Sequence, residues 1–281
     1  MIIRRFFIFC VLLGLPLSAI AEELILPVFA LNARNPDGSR SSTEIYLVNS
    51  TPEPVQVAIA GLLYGRVQRL QPCGQFMSQT HVVPADSAVL WTASGLATDL
   101  GCVEEFLGAL KLHADGTLRV TGRMVHHPDF GEGTPAGILS GGGQPVAALP
   151  TTELPGPTVL LLPTLLWHRN PCDETAFSTR VGFANPGFDP VTVTIDLPKE
   201  GRRAIRIDGR PVALPHQFVV EPETWVEFGV SPMDRPDEVC LEPESFDLEL
   251  VIDGPLAVYG SVFDHRSKDG RMVEPVDLEL N

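Results

Sequence analysis

His126, His127, Asp129 and Glu132 lie within one short stretch, and Asp264, His265 and Asp269 recur 138 residues after its histidine His127. Imidazole and carboxylate at the end of a strand form a donor set for a divalent cation. Successive residues of a strand point to opposite faces, however, so His126 and His127 cannot share one ion while the strand continues. Exposed polar side chains at strand ends are the reading, and neither a metal nor a cofactor is expected. The loops Asn35-Pro36-Asp37-Gly38 and Asn170-Pro171-Cys172-Asp173-Glu174 offer oxygen donors without the spacing of a calcium loop, and read as turns. Gly141-Gly142-Gly143 is followed by neither Lys nor a helical pattern, so it is no phosphate cradle. A Gly-x-Ser-x-Gly elbow and a His-Glu-x-x-His motif are both absent from the sequence, which leaves a hydrolase without a recognisable nucleophile or zinc site.

Two surfaces have the composition of a partner contact. Asp234 to Asp253 holds eight carboxylates, among them Asp237, Glu238, Glu242 and Glu244, against Arg235 alone. A loop of that charge fits a basic partner or a cation, or simply keeps the chain soluble. Trp167 precedes the His168-Arg169-Asn170-Pro171 loop and is the tryptophan best placed for an exposed contact. Trp91 and Trp225 sit on comparable late strands and read as core.

What must position these residues is a unit used twice. Ser42-Thr43-Glu44-Ile45-Tyr46-Leu47-Val48-Asn49 is answered 136 residues later by Ser178-Thr179-Arg180-Val181-Gly182-Phe183-Ala184-Asn185. Val55, Val57 and Ile59 match Val191, Val193 and Ile195. Further on, Leu110, Leu112, Asp115, Gly116, Leu118, Val120 and Gly122 match Leu248, Leu250, Asp253, Gly254, Leu256, Val258 and Gly260. The apolar positions alternate with a period of two, which is the signature of strands with one buried face. Asp-Gly between apolar runs, at 115–116, 208–209 and 253–254, predicts hairpins. Each half reads as seven or eight short strands, near 24–31, 42–49, 54–61, 78–83, 87–93, 107–113 and 117–126, then 159–166, 178–185, 190–197, 203–214, 216–221, 224–230, 245–252 and 255–264. One helical turn fits between Thr98 and Phe106. With 26 prolines and 25 glycines the chain has few windows of helical length. The expected class is all-β, and two sheets face to face bury such strands most simply.

Arg4-Arg5, the apolar run Phe6 to Pro16 and Ala19-Ile20-Ala21 have the order of a signal peptide over residues 1–21. The apolar run is too short to span a bilayer, so no membrane insertion is expected after cleavage. Loss of Arg4 and Arg5 leaves 18 basic against 35 acidic residues, a net charge of −17. That surface repels phosphate backbones and anionic lipid, which argues against nucleic acid as a partner. The cysteines that remain, Cys73, Cys102, Cys172 and Cys240, suggest two disulfides in an oxidising compartment, and three pairings are open. Should each half fold alone, the pairs are Cys73–Cys102 and Cys172–Cys240. The division is then 22–143 for the first domain, a Pro-rich linker over 144–157, and 158–281 for the second.

The order of an early Leu-Pro strand (Leu26-Pro27, Leu162-Pro163), Ser-Thr-x-hydrophobic-x-hydrophobic-x-Asn, Pro-Val-x-Val and a closing Asp-Gly resembles the tandem immunoglobulin-like β-sandwich repeats of secreted bacterial proteins, most of unknown function. The resemblance covers nearly all of both halves. It implies fold and export and carries over no catalytic residue. The expected function is a non-enzymatic binding or structural module of the periplasm or cell exterior, with a protein or glycan of the envelope as partner. The alternative is a carbohydrate-active or hydrolytic enzyme with its site between the domains, which a cleft of convergent carboxylates would mark.

Overall fold

A computed structural model of the chain describes residues 21–34, 40–70, 79–101, 103–127, 143–167, 177–197, 204–233, 244–264 and 269–278. In chain order the first half contains β1 (Glu22–Leu31), β2 (Ala33–Arg34), β3 (Arg40–Asn49), β4 (Val55–Leu70), β5 (His81–Val83), β6 (Ser87–Trp91), α1 (Ala93–Asp99), β7 (Val103–Ala114), β8 (Arg119–His127), β9 (Gly143–Ala147) and β10 (Leu149–Pro150). A single turn of 3-10 helix, Thr151–Glu153, leads to the second half. That half holds β11 (Thr158–Trp167), β12 (Phe177–Asn185), β13 (Val191–Asp196), β14 (Ala204–Ile207), β15 (Arg210–Ala213), β16 (His216–Val220), β17 (Thr224–Pro232), β18 (Glu244–Ile252), β19 (Ala257–Asp264), β20 (Asp269–Val273) and β21 (Val276–Asp277). The fold is all-β, as the period-two pattern requires. The helical segment lies at Ala93–Asp99, N-terminal to its expected place, where the Thr92 hydroxyl accepts from Gly95 N and caps it.

The strands form three sheets. Sheet I runs β10-β1-β7-β4 and then β17-β12-β19-β20, so it passes from one half into the other. The join is a parallel contact of Thr224 with Tyr64. Sheet II, β2-β3-β8-β9 with β6 beside β3, covers the first-half part of sheet I, and sheet III, β16-β13-β18-β11-β21, covers the second-half part. Ile45, Leu47, Trp91 and Val120 of sheet II share one apolar cluster with Leu26, Val57, Leu110 and Leu112. Phe183, Val258 and Val262 share the other with Leu162, Val193, Leu248 and Leu250. Val55, Val57 and Ile59, like Val191, Val193 and Ile195, are all buried.

Matching turns hold the two halves in matching ways. Asn49 Nδ2 donates to the carbonyls of Glu53 (2.7 Å) and Val83 (3.2 Å), and Asn185 Nδ2 to those of Asp189 (2.8 Å) and Val220 (3.1 Å). Asp115 Oδ1 accepts from Gln56 N and Asp253 Oδ1 from Thr192 N, both at 2.6 Å. A Cβ on Gly116 or Gly254 would stand 3.1 Å from a methyl of Val55 or Val191.

These last two turns are not the hairpins that Asp-Gly predicts. β7 lies between β1 and β4, and β18 between β11 and β13, so neither has a free edge to offer the strand that follows. Asp115 and Asp253 instead carry the chain across the core, and β8 and β19 enter the opposite sheet. Asp208-Gly209 behaves as predicted. Both residues have positive φ (48° and 77°), and Ile207 pairs with Arg210 across a two-residue loop.

Residues 144–157, read as linker, pack within the first half. β9 pairs with β8, β10 pairs with β1, and Leu154 is buried in the first cluster. Among the described residues no helix is long and apolar enough to cross a membrane.

Candidate functional site

The outward face of a sandwich sheet is ordinarily solvated. In β12, β17 and β19 the residues that alternate with the core set are Gly182, Ala184, Trp225, Glu227, Ala257 and Tyr259. Ala184, Trp225, Ala257 and Tyr259 are nonetheless buried, and they belong to the apolar cluster of the first half. They form a seam between the halves. In β1 the register shifts between Leu26 and Phe29, which leaves Pro27 and Val28 outside the ladder with β7. The freed Pro27 carbonyl accepts from Trp225 Nε1 at 2.8 Å, across 198 residues of sequence. At the rim, Lys111 Nζ lies 3.8 Å from Glu223 Oε1.

The polar hub of this seam is Glu227. Its Oε2 accepts from Arg180 Nη1 at 2.6 Å, and its Oε1 accepts from the Tyr259 hydroxyl at 3.0 Å. Gly182 lies between them on β12, in register with both Glu227 and Tyr259. A Cβ there would overlap the Tyr259 ring, so the glycine creates the space for the phenol. Burial and the neighbouring Glu227 push the Tyr259 hydroxyl well above the usual tyrosine range. For Arg180 burial acts to lower the pKa, but its contact with Glu227 outweighs burial and raises it. The hub therefore has a paired carboxylate, a permanently charged guanidinium and a phenol that keeps its proton. All three residues belong to the second half, and the face they order is the one whose Tyr259 packs into the first-half cluster.

A second polar cluster lies in the first half. Asp99, buried at the end of α1, accepts on Oδ2 from Trp91 Nε1 at 2.7 Å and meets His81 Nε2 at 3.0 Å. The His81 ring packs on Trp91 with centroids 4.5 Å apart. A carboxylate orienting an imidazole is two-thirds of a hydrolytic triad. Among the described residues no hydroxyl hydrogen-bonds to His81, and no group of three His, Cys, Asp or Glu side chains is set to hold a metal ion.

Of the residues singled out in the sequence, Trp167 and Glu244 are backbone partners in register at the end of β11 and the start of β18. His127 ends β8 opposite Arg40. Asp237, Glu238, Glu242, His265 and the cysteines Cys73, Cys102, Cys172 and Cys240 lie outside the described residues, as does nearly all of the leader. Trp91 and Trp225 are both buried, but they do not occupy matching rungs: Trp91 pairs with Ile45, whereas Trp225 pairs with Ala184. Asn49, which opens the sequon Asn49-Ser50-Thr51, is almost wholly buried and donates to three carbonyls through Nδ2. It is a turn residue with no room for a glycan.

Arg180, Glu227, Tyr259, His81 and Asp99 were not legible as clusters. The available signal was steric. Where β3 presents Tyr46 and Val48 outward, the matching positions of β12 are Gly182 and Ala184, and small residues on an outer face mark a close approach. No protein-family model matches the chain, and no curated protein matches it.

Proposed function

We propose that the chain is an exported, non-enzymatic binding or structural module of the cell envelope, built as two tandem immunoglobulin-like sandwiches. The seam carries this reading. Trp225 donates to Pro27 and, with Tyr259, packs into the first-half cluster, so two sheet faces are held together, while the Glu227 hub orders the second-half face. The product is a stiff two-unit platform with a broad sheet face at each end. Rigid scaffolds of this kind present recognition surfaces.

The test is to express the chain with its own leader, fractionate the cells and determine the N-terminus. A product beginning at Glu22 outside the cytosol is the expected result, and an uncut cytosolic chain overturns the export reading. Photo-crosslinkers at Trp167 and Val251 then report contacts with envelope components. The His81–Asp99 pair is the one observation that favours a hydrolytic alternative. A hydrolytic turnover of envelope glycans or peptides that disappears in His81→Ala would replace the module reading with it.

A further inference from the structure

Counterparts of the two faces that meet at the seam lie on sheet III and sheet II, where they carry exposed apolar side chains. At the seam the outer face of β10-β1-β7 lies under the outer face of β17-β12-β19. Its residues Ile25 and Leu149 are paired in register and packed into the first-half cluster. Their counterparts in the second half are Leu161 and Val276, also paired in register, on the outer face of sheet III. Among the described residues, nothing covers that face. Val251 (43% exposed) pairs with Val159 and Thr194, Val219 (49%) stands opposite Thr192, and Val276 is exposed beside Leu161. Terminal units of repeat arrays normally carry a polar outer face that stops the array. This one sets Val159, Leu161, Val219, Val251 and Val276 beside Thr192 and Thr194, with the acidic residues Asp196 and Glu249 paired in register on its central strands.

The other half of the seam has its own counterpart on sheet II. Trp225-Ala184-Ala257 corresponds to the row Ala88-Val48-Arg119, and Glu227-Gly182-Tyr259 to Leu90-Tyr46-Thr121. There Val48 and Leu90 (45%) are exposed, Arg119 is exposed, and Arg123 stands across from Glu44.

We propose that the sheet III face of one copy docks on the sheet II face of a second copy, head to tail, repeating between chains the contact that the seam makes within one. The inference rests on the module reading and names its partner. Charge chooses this arrangement over a symmetric pairing of two sheet III faces, which would set Asp196 and Glu249 against themselves. The sheet II face brings aliphatic surface with Arg119 instead. A contact between two different faces is heterologous, so each docked copy leaves one free face of each kind and the assembly extends or closes into a ring.

Complementation tests this. The chain is expressed with its leader, purified as the cell delivers it and sedimented at physiological ionic strength from about 1 µM to several hundred µM, the range of modest protein affinities. Wild type should pass from monomer to dimer and larger species. Val251→Glu blocks the sheet III face and Leu90→Glu the sheet II face. Both positions are exposed, so circular dichroism should be unchanged. Each variant alone should raise the apparent dissociation constant about tenfold or more. Mixed, they should form a dimer that grows no further, because each supplies the face the other lacks. A wild type that stays monomeric throughout overturns the proposal. So does loss of assembly in Val251→Glu alone with no rescue on mixing, which identifies a symmetric dimer. Either result leaves the export and crosslinking readouts of the module reading untouched.

Discussion

Removing Asn185 probes how the halves are held. Asn185 is fully buried, its Nδ2 donates to Asp189 O and Val220 O, and its Oδ1 accepts from Gly187 N at 3.0 Å. Asn185→Ala deletes three hydrogen bonds, each worth about 1 kcal/mol net, and leaves the buried Val220 carbonyl without its side-chain partner, which costs about 1–3 kcal/mol in a dry site. The sum is roughly 4–6 kcal/mol, a large fraction of the ~5–15 kcal/mol that holds a domain folded. At about 2–4 °C per kcal/mol for a chain of this size, the melting temperature should fall by about 8 °C or more. Asn49→Ala should cost at least as much, since Asn49 makes the matching bonds and Oδ1 accepts from both the amide and the hydroxyl of Thr51. Asn185→Asp sharpens the test. It keeps the shape but sets carboxylate oxygen against two carbonyls, so its carboxyl must sit above the usual carboxylate range. The folded form then holds a proton that the unfolded form releases. Stability of Asn185→Asp should recover as pH falls through the folded pKa, while Asn185→Ala shows no such gain. Urea titrations followed by far-ultraviolet circular dichroism at neutral and acid pH read both effects. A cost below about 1 kcal/mol for Asn185→Ala would refute the view that these asparagines tie turn to strand.

The seam and the turns give further expectations. Trp225→Phe, which keeps the ring but strands the Pro27 carbonyl, should cost about 1–3 kcal/mol, and Trp225→Ala about 3–5 kcal/mol, in urea unfolding. A cost near zero for Trp225→Phe would mean the indole hydrogen bond contributes nothing. Tyr259 holds its proton in the folded chain and releases it near pH ~10 when unfolded, so stability should decline as pH rises beyond that point. Tyr259→Phe should lack this component, and parallel stability curves up to about pH 11 would contradict it. Gly209→Val places a β-branched residue at a φ of +77°, with an expected cost of about 1–3 kcal/mol. An unchanged denaturation midpoint would show that the β14–β15 turn is not strained by that side chain.

The sequence carries local information, and what it hides is mostly long-range. Strand positions were legible because Val55, Val57 and Ile59 alternate with polar neighbours, and that pattern depends on the pleat alone. The burial of Asn49 was foreshadowed by its recurrence at Asn185, in the same place before the same kind of turn. Asp115-Gly116 and Asp208-Gly209 share a dipeptide yet have opposite outcomes. The difference lies in whether the preceding strand has a free edge, which is a property of the sheet and not of the turn. β14 has such an edge for β15, whereas β7 is flanked on both sides. The seam escaped for a related reason. Its central bond joins Trp225 to Pro27, and no window along the chain contains both.

The Arg180–Glu227 pair is half-buried, with Glu227 covered and Arg180 reaching solvent. An exposed guanidinium adds little to stability through such a pair, so stability alone is a weak reason to keep it. What Glu227 adds is direction. Its two oxygens each receive a donor, from Arg180 and from Tyr259, and Gly182 leaves room for the phenol on the strand between them. Across the seam itself the bond that fixes register is Trp225 Nε1 to the Pro27 carbonyl, and a sliding of one sheet face over the other would break it and leave a buried indole N–H unpaired. Aliphatic faces such as Val159, Leu161 and Val251 can pack in several registers at similar cost; a buried hydroxyl and carboxylate can pair in very few. Among the described residues the sheet III face has no such bond. A copy docked there as proposed would make an adjustable contact weaker than the seam, so that one contact holds the chain together while the other forms and separates.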